Sequence, residues 1–122
     1  MPPIGWVFGK HARLNSGAST NVSLTRSTVS GNGGIGVYAN RNLGPLSATV
    51  FVRDSTVSGN SIGVFADQGT TIYLGHSLIQ GNGTGWDGCF ACGTPGAVKS
   101  YGDNKIDNNA AGNSAPPTVP LK

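Results

Sequence analysis

Glutamate is absent from this chain, and charged residues of every kind make up only 11% of it. The 122 residues instead include 20 glycines and 7 prolines, and Met1 is the only methionine. Because glycine costs roughly 1 kcal/mol relative to alanine inside a helix, this composition disfavours α-helices. The length predicts a single domain.

Long apolar runs are also missing, and none approaches the ~18 residues that a membrane-spanning helix requires. The first ten residues, MPPIGWVFGK, lack the charged start and apolar segment of a signal peptide. Either export is not encoded at this end, or the sequence starts inside a longer chain. The net charge of +3 is small and scattered, which does not favour nucleic-acid binding. We therefore expect no membrane, no nucleic acid and no cofactor as partners.

Only two cysteines are present, Cys89 and Cys92, in the segment CFAC. A redox C-x-x-C motif is expected within a βαβ pattern, which this sequence does not show. A metal site would need a second pair of ligands nearby, and none is found, so we predict no metal. A short disulfide in an exported protein and two free thiols both remain open.

The feature that dominates the sequence is a repeat. The hexapeptide STVSGN occurs at 27–32 and again at 55–60. It belongs to four longer copies, which are VSLTRSTVSGN at 22–32, VFVRDSTVSGN at 50–60, IYLGHSLIQGN at 72–82 and KSYGDNKIDNN at 99–109. Their spacing of 22 to 28 residues is typical of solenoid repeats. Apolar residues alternate within a copy as in a β-strand, and Gly-Asn then indicates a turn.

A second short strand is predicted after each turn. IGVYA at 35–39 matches IGVFA at 62–66, and TGWDG at 84–88 is a weaker equivalent. Each coil thus holds several strands joined by sharp turns. Parallel strands stacked about 4.8 Å apart form a β-helix, in which each coil buries its inner face against its neighbours.

These repeats resemble the right-handed parallel β-helix of the pectin-lyase-like superfamily. The copies ending in SGN, SGN and QGN and the terminal SYGDNKIDNN carry the resemblance, which covers about residues 22–109. It implies an all-β fold, a right-handed parallel β-helix of about four coils. The predicted domain spans 1–109, with a partial first coil at 4–21, coils at 22–49, 50–71 and 72–98, a last coil at 99–109, and an extended C-terminal tail at 110–122. The superfamily includes polysaccharide lyases, hydrolases, epimerases, adhesins and phage spikes. The resemblance therefore specifies an architecture rather than an activity, and it favours a secreted or cell-surface location.

Aligning the copies predicts columns of equivalent residues, one residue per coil. Three columns face inward: Val22, Val50 and Ile72; Leu24, Val52, Leu74 and Tyr101; and Val29, Val57, Ile79 and Ile106. One column faces outward and contains Ser23, Phe51, Tyr73 and Ser100. A polar column of Ser27, Ser55, Ser77 and Asn104 is predicted to bridge the coils. A second polar column is predicted to be a structural ladder of Asn32, Asn60, Asn82 and Asn109. A buried amide must find partners, because leaving it unpaired costs about 1–3 kcal/mol.

Two regions are candidate ligand-binding surfaces. The longer connections project from one side of the solenoid, and they carry Lys10, His11, Arg13, Arg41 and Phe90. This basic side with an aromatic residue suits an anionic glycan, whereas the simpler interpretation is that long loops carry soluble residues. The outward pair of Phe51 and Tyr73 suits a sugar ring or a partner subunit, or else it only stabilises the stack.

A second outward column contains Arg26, Asp54, His76 and Asp103. Charges that alternate in sign from one coil to the next favour pairing between side chains of neighbouring coils. Interpreted as chemistry, Asp54 and Asp103 flanking His76 are the candidate catalytic residues, as acid and base or as ligands of a cation.

The sequence favours a non-catalytic module for binding or self-assembly that recognises a carbohydrate through the long-loop side. The alternative is a carbohydrate-active enzyme, lyase-like or hydrolase-like, or a fragment of one. Pectate-lyase-type enzymes, as the resemblance implies, use acidic Ca²⁺ ligands, and no two aspartates stack on adjacent coils of one column here. We also expect a homo-oligomer, joined through the N-terminal end of the solenoid or side by side through Phe51 and Tyr73.

Overall fold

The computed structural model describes residues 20–31, 33–39, 48–89, 93 and 95–119. This part of the chain contains eleven β-strands. They are β1 (Thr20–Thr25), β2 (Thr28–Ser30), β3 (Ile35–Ala39), β4 (Ala48–Arg53), β5 (Thr56–Ser58), β6 (Ile62–Ala66), β7 (Thr70–Gly75), β8 (Leu78–Gln80), β9 (Thr84–Gly88), β10 (Ala97–Ser100) and β11 (Lys105–Asp107). Within the described residues, no helical segment has the length and apolarity to cross a membrane.

The strands form three sheets in which every neighbouring pair is parallel. Sheet A has the order β1-β4-β7-β10, sheet B the order β2-β5-β8-β11, and sheet C the order β3-β6-β9. Every third strand therefore returns to the same sheet, so one coil contributes one strand to each sheet. The parallel β-solenoid of about four coils that the repeats predict is confirmed, and its right-handed sense stays a prediction.

The core lies inside the coils and is built from the alternating apolar residues of the repeats. Val50, Val52, Val57, Ile72 and Ile79 are completely buried. Their equivalents one coil apart pair directly, as Val50 does with Ile72 and Val57 with Ile79. Because a strand points alternate side chains to opposite faces, the pattern that identifies the strands also fills the core.

Two corners of each coil need a left-handed backbone conformation. Between sheets A and B the corner residues Arg26, Asp54 and His76 have φ of 48°, 50° and 47°. Between sheets B and C the corner is glycine in three coils and Asn108 in the fourth, which has φ of 58°. Asparagine is among the few residues other than glycine that adopt this conformation readily.

An asparagine ladder runs along the second corner. The Oδ1 atom of Asn82 accepts hydrogen bonds from the backbone N–H and the Nδ2 atom of Asn60, at 3.0 and 3.1 Å. Asn109 accepts the same two bonds from Asn82. Each Nδ2 atom also donates to a carbonyl oxygen of the coil before it, that of Val29 for Asn60 and that of Val57 for Asn82. These three asparagines are buried, and Asn32 lies outside the described residues.

The serine column forms a second ladder at the first corner. The Oγ atom of Ser55 accepts from the backbone N–H of Ser27 at 3.2 Å, and that of Ser77 accepts from Ser55 at 3.3 Å. The Oδ1 atom of Asn104 accepts from Ser77 at 2.9 Å, so the column continues into the fourth coil. Among the described residues, no buried side-chain nitrogen or oxygen lacks a hydrogen-bond partner.

The fourth coil corrects two of the predicted columns. Val98 pairs with Ile72, Lys99 with Tyr73 and Ser100 with Leu74. Tyr101 therefore does not join the inward column of Leu74, and Ser100 is buried rather than outward. The cause is one extra residue at the corner of this coil. The paired residues of β8 and β11 are one position further apart in the sequence than the paired residues of β7 and β10.

The C-terminal segment folds back over the last coil. Ala111 forms a parallel bridge with Thr84 of sheet C, and Thr118 forms one with Ser100 of sheet A. The Oδ1 atom of Asn113 accepts hydrogen bonds from the N–H and Nδ2 atoms of Asn109 at 2.9 and 2.8 Å. This segment therefore supplies the partners that a further coil would provide.

Candidate functional site

Three aromatic rings stack on the outward face of sheet A. The ring centroids of Phe51 and Tyr73 are 5.1 Å apart with an angle of 11° between the ring planes. Those of Tyr73 and Tyr101 are 6.0 Å apart with an angle of 24°. Phe51 and Tyr73 are brought together by the parallel register of β4 and β7, which places them directly opposite one another. The predicted pair is thus part of a longer stack, which we call the aromatic ridge (Phe51, Tyr73 and Tyr101).

Arg53 lies against two members of the aromatic ridge. The central carbon of its guanidinium is 5.8 Å from the ring centroid of Phe51 and 5.7 Å from that of Tyr101. The strand neighbour of Arg53 is Gly75. A Cβ atom at Gly75 would lie 3.1 Å from the ring of Tyr101, so glycine leaves the room in which this ring packs. Both distances are within the range of a cation–π contact, which favours this direction of the arginine side chain.

The ridge and Arg53 border an open groove with a volume of about 940 Å³. Phe51, Tyr73 and Tyr101 are each only partly buried. The groove is also lined by Asn21, Thr49, Asp54, Gly75, His76, Asp103 and Val119. Aromatic rings and hydrogen-bonding groups therefore line the same open space, on strands of sheet A and on the corners that follow them.

The charged corner column lies along one side of this groove. Asp54, His76 and Asp103 are exposed, and all three line it. The Oδ1 atom of Asp103 accepts a hydrogen bond from the backbone N–H of His76 at 2.8 Å. This carboxylate links one coil to the next, as Asn104 does for Ser77 in the adjacent column. Among the described residues, no group of three or more His, Cys, Asp or Glu side chains is arranged to hold a metal ion.

A second aromatic pair lies on sheet C. The rings of Tyr38 and Phe65 meet edge to face, with centroids 5.7 Å apart and an angle of 62°. The hydroxyl group of Tyr38 donates a hydrogen bond of 2.5 Å to the carboxylate of Asp67. Burial, followed by this hydrogen bond and the negative charge of Asp67, raises the pKa of Tyr38 to about 12.

The predicted binding residues of the long connections belong to the part of the chain that the structure does not describe. Lys10, His11, Arg13, Arg41 and Phe90 all lie outside the described residues. Cys89 is disulfide-bonded, and the only other cysteine of the sequence is Cys92. Cys89 is therefore not a free thiol, and Cys92 lies outside the described residues.

Sequence reasoning missed Tyr101 as a member of the ridge. The last repeat shares its final asparagine with the other copies, and an alignment through that residue hides the extra residue at the corner. Aligning it instead through the apolar Val98 places Lys99 beside Tyr73 and leaves Tyr101 on the outward face. The signal was present in the sequence as an apolar residue one position before the predicted start of the copy.

No protein-family model, curated protein or solved structure matches this chain.

Proposed function

We propose that this protein is a non-catalytic binding module that holds a carbohydrate in the groove along the aromatic ridge. The observation that carries the proposal is the partly exposed stack of Phe51, Tyr73 and Tyr101 beside a row of polar side chains. Binding sites commonly combine such aromatic surface with a few polar groups that fix orientation. A sugar presents apolar C–H surface and hydroxyl groups together, which matches this combination.

The ridge is built for binding rather than only for stability. Phe51 and Tyr73 lie on strands of a four-stranded sheet and Tyr101 directly follows its last strand, so little side-chain freedom is lost when a ligand binds. Tyr73 and Tyr101 both line the groove, so each brings a hydroxyl group with which a ligand can form hydrogen bonds. The repeat of the rings from coil to coil suits a ligand that itself repeats, such as a polysaccharide.

The corner column supports a non-catalytic role. Asp103 uses one oxygen to accept the N–H of His76, so this carboxylate has a structural task between coils. The repeats suggest that the chain belongs to the pectin-lyase-like superfamily, and this membership is part of the proposal. That superfamily includes both binding proteins and enzymes. The enzymatic alternative is tested in the same experiment.

The test measures binding of the purified protein to a panel of soluble polysaccharides by affinity electrophoresis and calorimetry. We expect one or more polysaccharides to bind, and Tyr73→Ala to weaken that binding by roughly tenfold, which corresponds to about 1.4 kcal/mol. Phe65→Ala is the matched control, because it removes a partly exposed ring from sheet C and leaves the groove unchanged. Absence of binding to any polysaccharide, or equal losses in both variants, would contradict the proposal. Release of new chain ends from a bound polysaccharide would favour an enzyme.

A further inference from the structure

Strand β11 is an uncovered edge of the solenoid. It lies at the end of sheet B, and within the described residues no strand pairs with its second side. Sheet A continues one step further at this end through the bridge of Thr118 to Ser100, whereas Ala111, which bridges to Thr84 of sheet C, belongs to the same coil as β11. An uncovered edge strand presents N–H and C=O groups with which another chain can pair.

The backbone of Ile106 offers both a donor and an acceptor on the open side. The N–H group of Lys105 donates to the carbonyl oxygen of Ser77 in the coil before it, at 2.9 Å. Because the direction of hydrogen bonding alternates along a strand, the N–H and C=O groups of Ile106 point the opposite way, out of the solenoid end. The side chain of Ile106 is only partly buried against the core.

The charges of β11 are unlike those of the other strands in sheet B. Lys105 and Asp107 flank Ile106, and both side chains are exposed. The equivalent positions in the other coils carry no charge, since they are Thr28 and Ser30, Thr56 and Ser58, and Leu78 and Gln80. The opposite charges are therefore confined to the strand that lies at the edge.

We propose that β11 is the interface of a two-fold homodimer, in which it pairs antiparallel with β11 of a second copy about Ile106. This pairing exchanges two backbone hydrogen bonds between the two Ile106 residues. It also places Lys105 of each copy opposite Asp107 of the other, and opposite charges directly across a strand pair are favourable.

The same charge pattern selects against other assemblies. In-register parallel pairing of two β11 strands would place lysine opposite lysine and aspartate opposite aspartate, which is unfavourable. The two-fold arrangement closes on itself, so it gives a dimer rather than an open fibre. Because the C-terminal segment already covers the edge of β10, the copies meet along β11 alone. The interface is small, and the dimer is accordingly weak, dependent on concentration and weakened by salt.

The experiment is sedimentation velocity of the whole chain across a range of concentrations, for the natural sequence and two variants. Lys105→Asp leaves two acidic residues on the strand, and Asp107→Lys leaves two basic residues. We expect the natural chain to move from its monomer mass of 12.4 kDa toward twice that mass. Each variant alone should raise the dissociation constant by about tenfold or more, because two attractions become two repulsions. An equimolar mixture of the two variants should regain the dimer, since the acidic strand then faces the basic one.

Lys99→Asp is the control, because it makes the same change of net charge on sheet A and should leave the dimer intact. Recovery of the dimer in the mixture also shows that both variants fold. A natural chain that stays monomeric at every concentration overturns the proposal. Variants that dimerise as well as the natural chain, or a mixture that stays monomeric, overturn it equally.

Discussion

The Oδ1 atom of Asn109 accepts two hydrogen bonds from Asn82 in the preceding coil, one from the backbone N–H and one from Nδ2, both of 2.9 Å. A single side-chain oxygen thus satisfies both donors of the residue beneath it. The same arrangement links Asn60 to Asn82 and Asn109 to Asn113. Removing one asparagine therefore deprives two neighbours of partners.

Asn82→Ala should lower the free energy of unfolding by about 2–4 kcal/mol, because the N–H and Nδ2 groups of Asn60 lose their shared acceptor in the buried interior. Ser58→Ala, on sheet B and only half-buried, should change it by no more than about 0.5 kcal/mol. Urea unfolding of both variants measures the two values. Equal midpoints would show that the ladder does not stabilise the fold.

Gly63→Ala should be strongly destabilising. The added Cβ atom would lie 2.5 Å from the carbonyl oxygen of Gly85 and 3.0 Å from Nδ2 of Asn82. The first contact is with backbone, so the coils must move apart, at a cost of about 1–3 kcal/mol. Gly33→Ala is the matched control, because nothing lies within 4 Å of its Cβ position. A thermal melt in which the two variants coincide would be inconsistent with the close approach of the coils.

Alkaline pH should destabilise the protein through Tyr38. The pKa of Tyr38 is raised to about 12 in the folded chain, against about 10 in the unfolded chain. The folded state therefore holds the proton more tightly, and this contribution to stability is complete below pH 10 and is lost as the pH rises through 12. The difference between the natural chain and Tyr38→Phe in an ultraviolet pH titration isolates this hydroxyl group. Asp67→Asn should move the midpoint of that difference to lower pH, and an unmoved midpoint would exclude Asp67 as a cause.

Asn82, which is followed by Gly83, should resist deamidation only while the protein is folded. Deamidation requires the backbone nitrogen of Gly83 to attack Cγ of Asn82 and expel ammonia. In the fold, the Gly83 N–H donates to the carbonyl oxygen of Asn60 at 2.9 Å, and Nδ2 of Asn82 donates to Val57 and Gln80 carbonyls as well as to the ladder. Unfolding releases both groups and exposes them to this chemistry. Peptide mass mapping should find the conversion after incubation in urea and not in buffer, and equal rates in both would contradict the prediction.

The inner columns of the first three coils could be predicted from the sequence. Val50, Val52 and Val57 alternate as strand residues, and Ile72, Leu74 and Ile79 repeat them one coil later. A parallel solenoid places identical positions directly above one another, so a repeated pattern in the sequence becomes a column in space. The Gly-Asn turns and the asparagine ladder follow from the same repetition.

The aromatic ridge was only partly predictable. Phe51 and Tyr73 occupy equal positions in two clear repeats, whereas Tyr101 joins them across a corner that is one residue longer. Arg53 reaches two rings of this ridge because Gly75 leaves space beside it. These contacts join side chains of different coils. No local sequence pattern predicts that the missing side chain of Gly75 leaves space for them.

The sequence by itself determined the strand periodicity, the parallel stacking and the positions of the buried asparagines, because each repeats at a regular interval along the chain. Only the tertiary structure decided the register of the last coil and the place of Asn113 at the end of the ladder. Asn113 lies outside every repeat, and it reaches Asn109 because the chain turns back over the last coil. Repetition specifies what each coil shares with the next, whereas the end of a solenoid depends on which groups remain unpaired there and which nearby segment can pair with them.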